Sequence, residues 1–488
     1  MLPDPADANL RAVSDARIRN VALLVAGCFF MELLDGTIVV TAIPRISSSL
    51  GITAGAAGLI VTSYLVTVAV LIPLSAWLTL RYGYRRVLLS AIALFTLASL
   101  GCAASQSFGE LVAMRVLQAA GGAMMVPVGR MIVFERADKS QVMRLMSFIV
   151  WPALIAPVIA PLAGGVITTY ADWRWLFLIN LPLGAVGLVC AWRLIQGRPA
   201  ETPPRLDRLG VVLSCGGLSA LTWGAHLISD SHPQWSLVAA LVLVSVLLLV
   251  AGARHMLRVS TPLLDLRTLR IPTFANAMVG SSLAWLVIGA IPFLLPLLFQ
   301  TVFGWSPIKS GALVLFVFVG NIAIKPATSF LYREYGHRRV LVAASICLSV
   351  TAIGCGLFTA GTPVVAIALL TLISGAARSV CMTGYTTLAL SDVPAPQMRP
   401  ANALFSTAQQ LFTGLAVALA TVALRLGRVL GHVFDSTDSL RTAYSIAFLV
   451  VAIVAAIATA VALRLHPSAG QALTTEGSTR SSPTATPS

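Results

Sequence analysis

Charge is what this sequence has least of. Asp, Glu, Lys and Arg make up 10% of its 488 residues, where a soluble globular domain carries about 25%, so a water-soluble fold of this length is excluded. Long polar stretches are also missing. The longest breaks between apolar runs, 196–206, 254–272 and 427–441, are too short to form a domain. None is a long acidic loop, and none carries more than a single histidine, so a membrane-embedded enzyme would have few catalytic groups to place at a membrane face. The seven cysteines (Cys28, Cys102, Cys190, Cys215, Cys347, Cys355 and Cys381) all fall within apolar runs and show no metal-ligand spacing. They read as small packing residues, and neither a disulfide framework, a metal nor a cofactor is expected.

Apolar length is what the chain has in abundance. Hydrophobic residues make up 57% of it and the mean hydropathy is +0.89, spread over runs of about 20 residues. In hydrocarbon every backbone N–H and C=O needs a partner inside its own segment, and runs this long without alternation exclude a barrel. The fold class is therefore an all-α polytopic membrane protein, with the lipid bilayer as its solvent. Fourteen spans are predicted near 20–42, 56–80, 86–106, 108–131, 145–170, 174–195, 208–228, 235–254, 273–302, 309–331, 338–360, 363–389, 402–426 and 442–464, with ends set to about 2–4 residues. Arg11, Arg17 and Arg19 precede the first run as they would in a signal peptide. That run exceeds an h-region of about 7–15 residues, however, and it carries Glu32 and Asp35, so it is read as a retained span.

A net charge of +15 and a pI near 10.2 would suggest nucleic-acid binding in a soluble protein. Here most of the 33 basic residues fall in one set of alternate breaks and the two tails, which is the positive-inside bias. No nucleic-acid partner is expected, and both termini are predicted to be cytoplasmic. The Ser-, Thr- and Pro-rich segment 465–488 is expected to be a disordered tail.

An internal repeat organises the rest. Tyr82-Gly83-Tyr84-Arg85-Arg86-Val87-Leu88 recurs as Tyr335-Gly336-His337-Arg338-Arg339-Val340-Leu341, 253 residues on, each copy closing one span and opening the next on the same side. A displacement of eight spans predicts two like-oriented six-helix bundles with two additional helices between them. The expected boundaries are a tail at 1–19, a bundle at 20–195, a linker with two helices at 196–272, a second bundle at 273–464 and the tail at 465–488. Parallel repeats of this kind bind substrate near mid-membrane.

Only two of the 18 acidic residues, Glu32 and Asp35, lie well inside a span. Three residues apart, they share one face of the first helix. A carboxylate at mid-membrane costs about 2.5–3.5 kcal/mol even on the lenient insertion scale, so it should face a cavity or a partner. Such a carboxyl can load a proton on one side and release it on the other; the alternative is a salt bridge that never titrates. The candidate partner is Arg115 in the fourth span, one of three basic residues within spans beside Lys325 and Arg378. Both Asp35 and Arg115 lie about 10 Å below the outer boundary, so they can meet. Arg115 could equally be a packing donor to carbonyls. In the fifth span Trp151, Pro152, Pro157, Pro161, Gly164 and Gly165 describe a bent packing surface. Polar Asn321, Gln409 and Gln410, with Trp77, Phe148, Trp285, Phe293 and Tyr385, are candidate cavity residues that ordinary packing explains as well.

These residues resemble the fourteen-span drug:proton antiporters, a branch of the major facilitator superfamily. Leu34-Asp35-Gly36-Thr37-Ile38-Val39 with Pro44 is similar to that branch's first-helix motif, whose Asp is associated with proton coupling. Leu111 to Gly122, with Arg115 and Gln118, resembles the fourth-helix motif, whose Arg is likewise linked to proton transfer. Trp173 to Gly184 and Ala123 to Arg130 resemble stretches specific to the branch and to its multidrug-resistance members. The loop at Arg81, Gly83, Arg85 and Arg86 is similar to the cytoplasmic gating loop, with Gly336, Arg338 and Arg339 in the second copy. In it Leu80 stands where the pattern has Asp, and Ala76 where it has Gly. In the fifth helix Ala156 and Ala160 replace glycines of the antiporter motif, while Glu32 has no counterpart in the pattern.

The resemblance implies two six-helix bundles of major facilitator type and alternating access. Protons would enter through Asp35 and drive export of hydrophobic or cationic small molecules across a bacterial inner membrane, as in antibiotic resistance. Export of a metabolite, lipid or siderophore on the same fold is the nearest alternative, with a channel or a membrane-embedded enzyme further off. Substrate, proton stoichiometry, oligomeric state and any periplasmic adaptor are not written in the sequence.

Overall fold

A computed structural model describes residues 5–136, 139–195, 206–228, 234–394, 397–433 and 439–465. Within its helices the side chains of 5–18, 54–55, 76, 130, 134–136, 139–154, 399, 432–433 and 439 fall outside that description, those of Ala76, Arg130, Phe148, Trp151 and Pro152 among them, and so does the predicted tail from 466 onward. Every regular element among the described residues is helical. The chain forms two compact units, Met1–Leu263 with Pro296–Leu315, and Leu264–Leu295 with Phe316–Ser488.

The first unit holds α1 (Pro5–Leu50), α2 (Ala54–Tyr82), α3 (Tyr84–Ala104), α4 (Phe108–Arg136), α5 (Lys139–Tyr170), α6 (Trp175–Leu178), α7 (Asn180–Leu194), α8 (Arg208–Ile228) and α9 (Trp235–Arg258). α1 packs against α5, α4, α7 and α2, while α3 packs against α4 and α7. The sixth predicted span thus arrives as two helices, with the break at Ile179. Pro182 lacks the N–H that would bond back to Leu178, which is where α6 ends. α8 packs on α9 and reaches α2. On α9, Leu243, Val246, Leu247 and Val250 are exposed, a face that only acyl chains can cover without cost.

The second unit holds α10 (Pro272–Leu297), which starts in it, the inner part of α11 (Pro307–Ala323), α12 (Lys325–Tyr335), α13 (His337–Gly356), α14 (Val364–Ser391), α15 (Met398–Val433) and α16 (Ser439–Leu463). α13 packs on α14 and α16, and α15 on α16. α11 and α12 form one span bent by 52°, because Pro326 cannot donate to Ile322 and the helix restarts beyond Ile324. Among the described residues, twelve helices are long and apolar enough to cross a membrane, and this bent pair makes a thirteenth. α5, 32 residues long, coincides with the remaining predicted span.

The sequence repeat is a structural one. Gly83 and Gly336 each have φ of 77°, with ψ of 148° and 158°. That region is open essentially to glycine alone. Each glycine closes the preceding helix, Gly83 N–H donating to Thr79 O at 2.9 Å and Gly336 N–H to Tyr332 O at 3.1 Å, and each is also the cap of the next. Arg85 and Arg338 are half-buried where Arg86 and Arg339 are exposed, so the two copies also share their exposure pattern.

At the foot of α8, Asp207 accepts hydrogen bonds from Gly210 N–H at 2.8 Å, Leu263 N–H at 3.1 Å and the His255 Nε2 of α9 at 2.7 Å. Burial works against the Asp207 charge, but these donors outweigh it and hold its carboxyl below the ordinary aspartate range. A depressed folded-state value means that the stabilisation is complete above the unfolded value of about 3.9 and is lost as pH falls through the folded one. Asp207→Ala is expected to cost about 0.5–2 kcal/mol, with the deficit shrinking in acid, as read by thermal unfolding in detergent from neutral pH downward. Gly83→Ala and Gly336→Ala are each expected to cost about 1–3 kcal/mol through backbone strain in the same assay.

Candidate functional site

Asp35 sits in the membrane part of α1 with 1% of its surface exposed. Such burial is tolerable only because five other helices bring donors or packing to it. Arg115 of α4 meets Asp35 Oδ2 through Nη1 at 2.5 Å. Gln118, one turn along the same face of α4, donates from Nε2 to Asp35 Oδ1 at 2.9 Å and to Ser99 Oγ of α3 at 2.7 Å. Asn180, the first residue of α7, donates from Nδ2 to Asp35 Oδ1 at 2.8 Å. The α6–α7 break is what sets Asn180 at this place.

Arg115 is itself fully enclosed. Its Nε donates to Ile60 O of α2 at 3.2 Å, its Nη1 also donates to Gln118 Oε1 at 2.7 Å, and Cys102 Sγ lies 3.7 Å from that same oxygen. The guanidinium carbon lies 4.2 Å from the Tyr64 ring centroid and 5.7 Å from that of Phe177, so flat aromatic faces cover its charge. Three polar atoms in this closed cluster keep unused capacity: Arg115 Nη2, Asn180 Oδ1 and Tyr64 Oη have no partner.

Of the residues predicted from sequence, the structure brings Asp35, Arg115 and Gln118 together. Glu32 is buried one turn earlier on α1, close enough to act electrostatically on Cys28 and Tyr64. Thr37 donates to Leu33 O of its own helix at 2.8 Å, and Pro44 lies further along α1; neither joins the Asp35 hydrogen-bond network. Gly164 fits against α1 so closely that an added Cβ would lie 2.9 Å from Ile38 O and would strike Thr41 Oγ1. At Gly165 a Cβ would lie 2.5 Å from Pro307 O, and Pro161 lies one turn away and Pro157 two. The predicted packing surface of α5 is thus a real close approach. Arg85 donates to Trp192 O at the end of α7, at 3.0 Å, while Arg81 is exposed. Trp285 of α10 is buried, and Gln409 and Gln410 of α15 are half-buried. All three belong to the second unit.

Sequence reasoning did not single out Asn180, Ser99 or Tyr64. Asn180 alone left a signal, being an amide inside an apolar run. Ser99 and Tyr64 look like ordinary span residues until helix packing aims them.

Comparison with known proteins places the chain. Residues 25–417 match the Major Facilitator Superfamily. The chain belongs to that superfamily. Among relatives of this major facilitator protein is the "Putative multidrug resistance protein MdtD" of Pectobacterium atrosepticum, 35% identical over 413 residues, covering 84% of this chain and 88% of the relative. The protein of the same name from Salmonella paratyphi A is 36% identical over 407 residues, covering 82% and 85%. The fold is shared with an auto-inhibited peptide transporter of the POT family at a TM-score of 0.65 and 17% identity, covering 92% of this chain and 97% of that one. A D-xylose–proton symporter shares it at 0.63 and 15%, covering 89% and 96%. The major facilitator protein described here is accordingly a multi-pass membrane transporter.

Removing one member of a buried ion pair strands the other charge, at a cost of about 3–5 kcal/mol, whereas replacing both by apolar groups of like volume is near neutral. Arg115→Leu is expected to lower stability on that scale and Asp35→Leu with Arg115→Leu to recover most of the loss, as measured by thermal unfolding of the purified proteins. Equal losses in the single and double variants would show that the pair is not coupled.

Proposed function

We propose that this transporter is a proton-coupled antiporter that exports amphipathic small molecules by alternating access, with Asp35 as the group that binds the proton. The observation that carries the reading is the enclosed Asp35 carboxylate, whose Oδ2 faces a permanent cation and whose Oδ1 faces two amides. Arginine does not deprotonate, so protonation of Asp35 leaves Arg115 without its counter-charge inside a dry cluster. That imbalance is a driving force for repacking.

The amides suit both protonation states. Rotation of the Asn180 carboxamide exchanges its Nδ2 donor for its unused Oδ1 acceptor, which then receives the O–H of a neutral Asp35. Arg115 Nη2 and Tyr64 Oη supply further unspent contacts for an arrangement in which the ion pair has opened. Gly164 on Ile38, one turn from Asp35, would couple movement of α1 to α5. Two six-helix bundles, at 20–195 and 273–464, would rock about this site, with the two helices of 196–272 between them.

The multidrug-resistance relatives support the cargo class, hydrophobic or cationic molecules as expected from sequence. A bacterial inner membrane with both termini cytoplasmic is part of the same reading. There each proton entering gains about 2.3 kcal/mol per 100 mV of membrane potential. No periplasmic adaptor enters the scheme.

Everted membrane vesicles carrying Asp35→Asn are expected to lose accumulation of a fluorescent drug driven by a pH gradient, down to the level of vesicles without the protein. Asn180→Leu is expected to slow it while the protein stays folded. Full-rate accumulation by Asp35→Asn would remove Asp35 from coupling.

A further inference from the structure

Among its described residues, the second unit places two basic side chains well inside its spans and no acidic one. Arg378 stands 14 residues into the 28-residue α14, at its centre, and Lys325 stands at the bend between α11 and α12. Both are half-buried. Among the described residues neither forms an ion pair, although buried basic residues within spans ordinarily find an acid, a carbonyl or an aqueous path. The described acids of this unit lie elsewhere: Asp265 precedes α10, Glu334 is in the last turn of α12 and Asp392 caps the end of α14.

One helix crossing brings the two cations together. Gly320 presses on Leu372 and Gly375 on Val317 so closely that a Cβ at either would strike backbone, which drives α11 onto α14. Phe318, Asn321 and Lys325 follow at three- and four-residue spacing along the side that meets α14. At one end the Arg378 guanidinium carbon lies 5.2 Å from the Phe318 ring centroid. At the other, Lys325 Nζ donates to Thr383 Oγ1 at 3.1 Å. Arg378 and Thr383 are about 7.5 Å apart along the α14 axis. Lys325 lies within reach of the positive field of Arg378. Two atoms here are enclosed and without a partner, Arg378 Nε and Asn321 Oδ1. Two like charges at one helix crossing repel one another, and the Arg378 Nε donor goes unspent. An arriving anion relieves both.

We propose that Lys325 and Arg378 form a subsite for the carboxylate of an amphipathic substrate. Arg378 presents a planar fork to the carboxylate and Lys325 a point charge beside it, while the Phe318 ring lies against apolar parts of the same molecule. The proposal rests on the export reading above and extends its cargo to molecules carrying a negative group.

The test is calorimetric titration of the purified full-length protein at neutral pH with 1-naphthylacetate and, separately, with the uncharged 1-naphthylacetamide. The wild type is expected to bind the anion about tenfold more tightly than the amide, the scale of one hydrogen bond to a charged group. Arg378→Gln and Lys325→Gln are each expected to remove that preference while leaving amide binding in place. Arg378→Lys, which keeps the charge and protects the fold, is expected to retain part of it. Equal affinity of the wild type for the two ligands, or no binding of either, overturns the proposal. So does a preference that survives both Gln substitutions, or an equal loss of acid and amide binding in them, which marks the pair as structural. Proton-driven transport by Asp35→Asn is read separately, so failure of the coupling assignment leaves a different signature from failure of this subsite.

Discussion

A carboxylate cannot be taken out of water alone, and the first unit is arranged around that constraint. Asp35 requires Arg115, and Arg115 requires the Ile60 carbonyl, the Gln118 amide and two aromatic faces. Each requirement fixes another helix, so α1, α2, α3, α4, α6 and α7 are held by one connected polar cluster as well as by apolar packing. Hydrogen bonds in such surroundings are stronger than at a surface, and an unmet one is dearer. The few unmet ones, at Arg115, Asn180 and Tyr64, are therefore the places where the cluster has an alternative arrangement within reach.

The two halves of the repeat have kept a backbone and diverged in chemistry. The glycine turns agree to within a degree in φ, in a region that no other residue reaches without strain. Deeper in the membrane the likeness ends. The first unit pairs its buried arginine with an acid, whereas in the second Lys325 and Arg378 have no acid partner among the described residues. The same turn thus introduces two units whose buried charges are of different kinds.

Much of this was legible in the sequence. Fourteen spans were expected from apolar run length alone. Among the described residues twelve helices are long and apolar enough to cross a membrane, the bent α11–α12 pair makes a thirteenth, and α5 coincides with the last. Asp35 and Arg115 could be matched because depth along a helix is simple arithmetic, and acids and arginines are scarce enough in spans to stand out. What the sequence hid was contact between ordinary residues. Tyr64 and Ser99 carry no mark of their role, and Asn180 is placed by a helix break that Pro182 causes two residues later. Helix ends were also obscured. α1 runs to Pro5, well outside the predicted span, because nothing in the preceding residues forces a helix to stop at the headgroups. The bend at Ile324 was similarly masked by the continuous apolarity around Pro326.

The near-total enclosure of Asp35 also bears on what the protein does when idle. A side chain with 1% of its surface accessible meets water only when the helices around it part, so any exchange with solvent is timed by that opening and not by diffusion. Under the coupling role proposed for Asp35, that enclosure would suppress slippage in an energised cell: an unloaded carrier would hold the gradient instead of short-circuiting it.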